Sequence, residues 1–546
     1  MPETFDFIVV GGGTAGCTVA SRLTEDASVR VLLLEAGKAR RDRKLMVRVP
    51  IAWHPTSEAP EFGWGFHTEP EESTGGRVLH QPRGKLLGGT SSINGMMYSR
   101  GNPCDYDSWA AMGLQGWSYA EILPYFRRSE SNWRGDGPFH GGSGPLRVMA
   151  NPKEPAIYPH MIAAAGEMGY RELDDFHGPS QEGFGMPDFT VRGGERESSA
   201  TAYLTPARNR PNLTVVTGAT VLRVVLDGNR AKGVEYAVGG NVASAAAGEV
   251  IVSGGAFNSP QLLQLSGIGA PDALAAVGVT PRHDLPAVGQ NLQDHPLVAA
   301  VFNAARPLGF NRLLRLDQLA MAAMRWAASR SGPLVNAPLS VQGYLRTQED
   351  AQWPDTQFQV SHVSFMSRPW FPGWRKGAGH QFTAAAMQLR PEGRGSVMLK
   401  SSDPRMAPEI RLGLLATEYD REHARRMLRF IRDFFASDAL SDLVAGELFP
   451  GRALDSDEAI DAHLRDTIHT GMHPTSSCAM GNDPARSVVD AALKVHGMDG
   501  LRIVDASVMP RVIGGNTNAP TIMIAEKIAD VIRGRPPLPQ EMAAVA

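Results

Sequence analysis

The chain has 546 residues, 42% of them hydrophobic and 20% charged, with a formal net charge of −3. That balance fits a soluble globular enzyme of at least two domains and gives no reason to expect nucleic acid or an anionic membrane as partner. Three cysteines (Cys17, Cys104 and Cys478) are too few and too scattered for a disulfide framework or a zinc site, and no apolar run reaches the roughly eighteen residues of a membrane span. The start, Met-Pro-Glu-Thr, leaves no room for a signal peptide, so a reduced, cytoplasmic protein without a metal is expected.

The first elements read as one unit. Phe5 to Val10 is a strand, and Gly11, Gly13 and Gly16 form a G-x-G-x-x-G turn enclosing Thr14 and Ala15. A helix is predicted from about Gly16 to Glu25, with Cys17 as a small packing residue, and Val29 to Leu34 forms the next strand, closed by Glu35. The glycines let backbone approach a pyrophosphate at the helix N-terminus, where free N–H groups and the helix dipole favour negative charge. Glu35 is placed to accept hydrogen bonds from a ribose. This pattern predicts a dinucleotide site over a plain glycine turn, and leaves open which dinucleotide.

Gly37 to Arg83 is polar and Pro/Gly-rich and reads as surface loops, followed by a stretch dense in glycine, serine and asparagine to Trp109. Strands are expected at Leu213 to Val216, Val221 to Leu226, Gly233 to Tyr236 and Glu249 to Val252, the last running into Gly254-Gly255-Ala256 and a helix. Between Phe302 and Asp466 the character changes to a helix (Leu316 to Ser329), strand-like runs (Gln357 to Phe365, Phe382 to Leu389) and a long charged helix (Thr417 to Ala436). A strand, Leu501 to Val504, then meets Asp505-Ala506-Ser507. Asn518-Ala519-Pro520 opens a helix (Thr521 to Ile532) with Ile522, Ala525, Ile528, Ala529 and Ile532 on one face, before a loosely ordered tail from Gly534 to Ala546. Cofactor-type elements thus occur at the start, middle and end, which implies a discontinuous cofactor domain (1–155, 200–300, 475–546) with a substrate domain (156–199, 301–474) inserted into it.

Three further signatures carry a resemblance. They are Gly84-Lys85-Leu86-Leu87-Gly88-Gly89-Thr90-Ser91-Ser92-Ile93-Asn94, continuing through Gly95 to Tyr98 and Gly101; Gly255-Ala256-Phe257-Asn258-Ser259-Pro260 with Ser266-Gly267-Ile268-Gly269; and His473-Pro474 with Asn516-Thr517-Asn518-Ala519-Pro520. With the N-terminal turn, Gly289-Gln290-Asn291-Leu292-Gln293-Asp294-His295 and Leu389-Arg390-Pro391, the chain resembles the glucose–methanol–choline (GMC) oxidoreductases over nearly its whole length. The resemblance implies an α/β fold, with a Rossmann-type FAD-binding domain and a substrate domain built on an antiparallel sheet with helices. FAD is then the cofactor, lying against Gly11, Gly13, Thr14, Ala15, Gly16, Glu35, Gly88, Gly89, Ser92, Asn94, Gly95, Val221, Asp505, Ala506, Asn516 and Thr517. Ile93 stands where some members attach FAD through a histidine, so non-covalent FAD is expected. Ser259-Pro260 reads as a helix start, with serine capping and proline in the first turn.

His473 matches the family's catalytic histidine and Asn516 its variable partner. Such a histidine would take the hydroxyl proton while hydride leaves the carbinol carbon, a task its ordinary pKa suits; Asn516 can hydrogen-bond the same oxygen but not take its proton. His469, read as one helical turn earlier, is the rival base, and the absence of a G-x-S-x-G elbow leaves a hydrolase reading without an anchor. Thr356 to His380 carries no Asp or Glu but has Phe358, Phe365, Trp370, Phe371 and Trp374 with His362, Arg368, Arg375 and Lys376. A quaternary ammonium would favour a nearby carboxylate, so the favoured substrate is an aromatic or heteroaromatic primary alcohol, of pyridoxine or hydroxymethylfurfural type, with O2 reoxidising the flavin. Alternatives are a choline or aliphatic alcohol dehydrogenase using another acceptor, a GMC-type hydroxynitrile lyase, and a nicotinamide-dependent or non-catalytic dinucleotide binder. Oligomeric state is not readable.

Overall fold

A computed structural model describes residues 3–308, 310–364, 367–451 and 453–540. Its first sheet is built around the strand Val31–Glu35, apolar up to its final glutamate and buried at every residue. Strands buried on both faces read as continuous apolar runs, as this one does. Val31–Glu35 pairs in parallel with Thr4–Val10 on one side and Leu213–Thr217 on the other. Thr4–Val10 pairs in parallel with the end of Asn241–Val252, whose last residues pair with Leu501–Ile503. The first half of Asn241–Val252 instead forms an antiparallel extension with Arg230–Val238 and Ala219–Asp227. The strand therefore starts eight residues before the expected Glu249, because hairpin pairing, and not hydrophobicity, holds its Ala/Ser-rich beginning.

The first helix spans Thr14–Leu23, beginning two residues earlier than expected because Gly13 takes the N-cap position. A Cβ at Gly16 would lie 1.9 Å from the Gly11 carbonyl oxygen, so only glycine lets helix and strand pack this closely. Asn518–Ile532 packs against it and is buried all round between Ala519 and Asp530, where the sequence suggested a single apolar face. The helix Gly255–Leu265 begins ahead of Ser259-Pro260, which sit in its interior. The carbonyl of Ala256 that Pro260 cannot serve accepts the Ser477 hydroxyl at 2.6 Å, and Ser259 donates to Asp505 at 2.6 Å without capping. The stretch Gly37 to Arg83 includes short helices, among them Leu45–Arg48 and Trp53–Glu58, the latter over the cavity described below.

A second, wholly antiparallel sheet runs in the order Val444–Phe449, Pro296–Ala304, Gln381–Gln388, Thr356–Ser361, Leu339–Leu345, Gly183–Gly185, with His469–Thr470 also paired to Pro296–Ala304. Strand alternation sorts its residues: Val298, Ala300, Phe302, Phe358, Val360, Phe382, Ala384 and Ala386 join the core. The helix Glu418–Phe435, started by Thr417 accepting from the Asp420 N–H at 3.2 Å, covers that face with Ala424, Met427, Leu428, Ile431, Phe434 and Phe435. Phe435 stacks on Phe302 with centroids 3.9 Å apart. Phe365 and the tail from Glu541 lie outside the described residues, and Gly534 to Gln540 carry no helix or strand. No helix among the described residues is long and apolar enough to cross a membrane.

Phe434→Ala should destabilise the protein by about 3–5 kcal/mol, the usual cost of emptying an aromatic core position. A thermal melt of the variant beside wild type checks this; an unchanged midpoint would mean the helix does not anchor the second sheet.

Candidate functional site

A cavity of about 2120 Å³ runs between the two sheets, well above the ~300–1,000 Å³ of an ordinary ligand pocket. Its far end is the glycine turn. Gly11, Gly13, Thr14, Ala15, Glu35, Gly89, Asn94, Gly95, Val221, Asp505, Ala506, Asn516 and Thr517 all line it. Gly16, Gly88 and Ser92 do not: they build the cradle from behind. Gly16 closes helix on strand, Gly88 takes a left-handed φ of 86° against Ser92, and the Ser92 hydroxyl donates to the Leu87 carbonyl at 2.8 Å.

The cradle fits a dinucleotide. A Cβ at Gly89 would fall 2.8 Å from the Gly13 Cα, so the two glycine turns touch through backbone alone. A Cβ at Gly13 would meet no protein atom nearer than 3.9 Å and would point into open cavity. The helix Thr14–Leu23 has no side-chain cap, which leaves first-turn N–H groups for an anion. Ser253, on the cavity wall, has a buried hydroxyl with no protein partner. Glu35 accepts from the Gly12 N–H at 2.9 Å and the Gly37 N–H at 2.6 Å, one per carboxylate oxygen, leaving a lone pair on each; burial pushes its pKa up. Asp505 accepts from Gly255 N–H, Ser259 and Ser507, so it holds the cavity wall together.

At the other end, the structure brings His473 and Asn516 together, with the Asn516 amide nitrogen 3.0 Å from His473 Nε2. His473 Nδ1 lies 3.0 Å from His295 Nδ1. The His473 backbone N–H donates to Asp294 at 2.8 Å, and the Thr470 hydroxyl donates to the same carboxylate. Burial, with His295 and Arg83 close by, holds the His473 imidazole well below the ordinary histidine value. It is thus a neutral imidazole at neutral pH, on the cavity wall. His469 is not a helical turn away: it sits in the strand His469–Thr470, exposed overall though also on the cavity wall, while the chain reverses through Met472 at a φ of 62° to present His473.

Asp294, His295 and Arg83 lay outside the predicted site, as did Gln357, whose amide nitrogen is 3.5 Å from Asn516 Oδ1. Asp294 and His295 belong to a run singled out in the sequence, but no spacing links that run to residue 473. The second sheet presents Leu297, Ala299, Val301, Gln359, Ser361, Thr383, Ala385 and Met387 to the cavity, a neutral wall. Of the aromatics noted between Thr356 and His380, Phe358 is fully buried in the core, while Phe371 and Trp374 are exposed, and none of the described ones lines the cavity. No cluster of potential metal ligands occurs among the described residues.

Family models for GMC oxidoreductases match residues 5–297 and 391–525. A protein named oxygen-dependent choline dehydrogenase from Pseudomonas putida (strain GB-1) is 42% identical over 100% of this chain and 96% of its own length. The crystal structure of a pyridoxine 4-oxidase from Mesorbium loti superposes with a TM-score of 0.85 at 31% identity, covering 97% of this chain and 100% of that one. A formate oxidase of Aspergillus oryzae RIB40, studied for its FAD modification, gives 0.89 at 28%, covering 98% of each. The expectation of an aromatic alcohol is therefore corrected: the full-length relative is named for choline, and the aromatics that suggested a ring substrate do not reach the cavity.

Two outcomes follow from this geometry. Gly13→Val should fold but lose most of its flavin, since the added methyls occupy cavity and not protein; flavin absorbance per protein checks it, and an unchanged ratio would argue against the cradle. The depressed His473 pKa means that activity requiring its free base stays flat through neutrality and falls only as pH drops below the ordinary histidine value of ~6.5. An acid limb in kcat/KM centred at or above that value would contradict the buried neutral imidazole.

Proposed function

As a member of the GMC oxidoreductase family this chain is an FAD-dependent enzyme of alcohol oxidation, and we propose that its substrate is choline or a related aliphatic primary alcohol, converted to the aldehyde. The observation that carries this reading is the full-length, 42% identity to a protein named for choline oxidation. FAD, when bound, supplies the acceptor for the carbinol hydride. Oxygen, the acceptor in that relative's name, is the one to test first.

His473 Nε2 takes the hydroxyl proton, and the Asn516 amide donates a hydrogen bond to the same oxygen. The pairing at 3.0 Å supports these roles, because one oxygen can meet both groups at once. The N-terminus of Asn518–Ile532 directs its positive end to the same cavity wall. Trp53, whose indole lies 3.9 Å from where a Gly95 Cβ would stand, offers an aromatic face of the kind an onium group prefers. Non-covalent FAD is part of this reading, since the buried cavity residue Ile93 has no nucleophile. So is the division into a FAD-binding domain (1–155, 200–300, 475–546) and a substrate domain (156–199, 301–474). The segregation of the two sheets supports it, with one adjustment: the strand Pro296–Ala304 belongs to the second sheet, which moves that boundary to 295.

Anaerobic flavin bleaching by choline and by short uncharged aliphatic alcohols tests the proposal. Bleaching by choline is the expected result; bleaching by ring alcohols alone, or by none, would overturn it. His473→Gln should slow the bleaching by about 10²–10⁴-fold with flavin still bound, and Asn516→Ala should slow it less, because the base remains. If His473→Gln keeps most of the rate, the base lies elsewhere.

A further inference from the structure

His295 stands in a run that the proposed chemistry leaves without a task. It is fully buried, with its ring wedged between His473 and two backbone carbonyls. Its Nε2 lies 3.1 Å from the Ile513 carbonyl oxygen, and the Leu389 carbonyl also faces the ring. A carbonyl can only accept, so Nε2 carries a hydrogen. Among the described residues the ring has no carboxylate partner, and burial depresses its pKa to about 4, so it is neutral and its Nδ1 is a bare lone pair.

That lone pair faces His473 Nδ1 at 3.0 Å. Two neutral ring nitrogens at this distance attract only if one hydrogen lies between them. His295 cannot supply it, because its single hydrogen is committed to the carbonyl. The hydrogen must be on His473 Nδ1, and the His473 lone pair must then be on Nε2, where the Asn516 amide donates to it at 3.0 Å. The opposite arrangement would set lone pair against lone pair between the rings and N–H against amide N–H at Asn516.

We infer that His295 is a positioning residue that fixes His473 in its Nδ1–H tautomer and so leaves Nε2 as the atom that can accept a proton from an alcohol. The inference rests on the reading of His473 as the base, but the tautomer itself does not need a substrate to be seen. When His473 gains a proton on Nε2, the Nδ1–H bond to His295 becomes charge-assisted and strengthens. His295 therefore contributes most when the base is protonated, while the proton stays on His473.

The test has two arms. In the first, the flavin-loaded wild-type protein carries ¹⁵N-labelled histidine, and long-range ¹⁵N–¹H spectra are assigned with His473→Gln and His295→Asn. His473 should show a protonated Nδ1 and a bare Nε2, and His295 the reverse; His473 protonated at Nε2 would overturn the inference whatever the activity. In the second arm, anaerobic flavin reduction by choline is compared in His295→Leu and His295→Asn. Leucine removes the acceptor, whereas the asparagine side-chain oxygen can stand where Nδ1 stood. His295→Leu should lose at least about 10²-fold, toward the scale that a wrong tautomer costs a histidine base, while His295→Asn regains most of the rate at equal flavin content. Equal losses in both variants, or a leucine variant above half the wild-type rate, would overturn it. Wild-type protein that no aliphatic alcohol bleaches would instead count against the proposed function, leaving the spectroscopic arm to judge the tautomer.

Discussion

One buried carboxylate, Asp294, holds the reactive end of the cavity together. It is 2% exposed and accepts from the N–H groups of His295 and His473, both at 2.8 Å, and from the Thr470 hydroxyl. A buried charge is tolerated only when hydrogen bonds replace its water, and three donors do so here. Arg83, whose guanidinium donates to the Met472 carbonyl at 2.8 Å, supplies the opposing charge. Three stretches of chain (83, 294–295 and 470–473) therefore meet around this side chain, and the left-handed turn at Met472 is fixed from both sides. The orientation of His473 is a consequence of this junction, set before any ligand arrives.

Two further carboxylates play the same part in assembling the discontinuous cofactor region. Asp505 ties the start of Gly255–Leu265 to the segment after Leu501–Ile503. Glu526, fully buried, binds Arg22, Arg128 and Tyr203, joining the first helix, the helix Tyr119–Ser129 and the C-terminal helix. Buried ion pairs are weak evidence of net stability, because desolvation offsets most of their attraction. Their effect here is on specificity: each would be costly to bury alone, so segments some five hundred residues apart dock only in the arrangement that satisfies them all.

The sequence carried the parts of this arrangement that are periodic or local. The strand–turn–helix unit at the N-terminus, the helices Leu316–Ser329 and Glu418–Phe435, and the His473–Asn516 pair were legible because each has its own pattern or resemblance. The errors have physical causes. Serine followed by proline resembles a cap, but a hydroxyl from Ser477 lets the helix run through Pro260. The Ala/Ser-rich start of Asn241–Val252 has no strand periodicity, since it is held by pairing along a hairpin. The second sheet hides much of its polarity, because one face packs on a helix and the other on the cavity, where Leu297, Ala299, Val301, Ala385 and Met387 are apolar too. His295 and His473 are 178 residues apart, and only the fold sets their rings 3.0 Å from each other.

Burial shapes the chemistry as much as contact does. A histidine at its ordinary pKa would be partly protonated near neutrality and would then repel an onium group and fail as a base. Burial keeps His473 neutral, but the same burial makes it a weak base, unable by itself to strip an alcohol to a free alkoxide. In the proposed reaction the hydroxyl proton passes to Nε2 and the hydride leaves the carbinol carbon. Around that event the site would supply fixed dipoles in place of mobile water: the Asn516 amide beside His473 Nε2, and the helix N-terminus on the same cavity wall. The neutral sheet wall adds no charge that would bias the proton before the bond breaks. In the proposed reaction, productive binding then depends on geometry at one imidazole nitrogen, and Asp294 and His295, which hold that imidazole, are both buried.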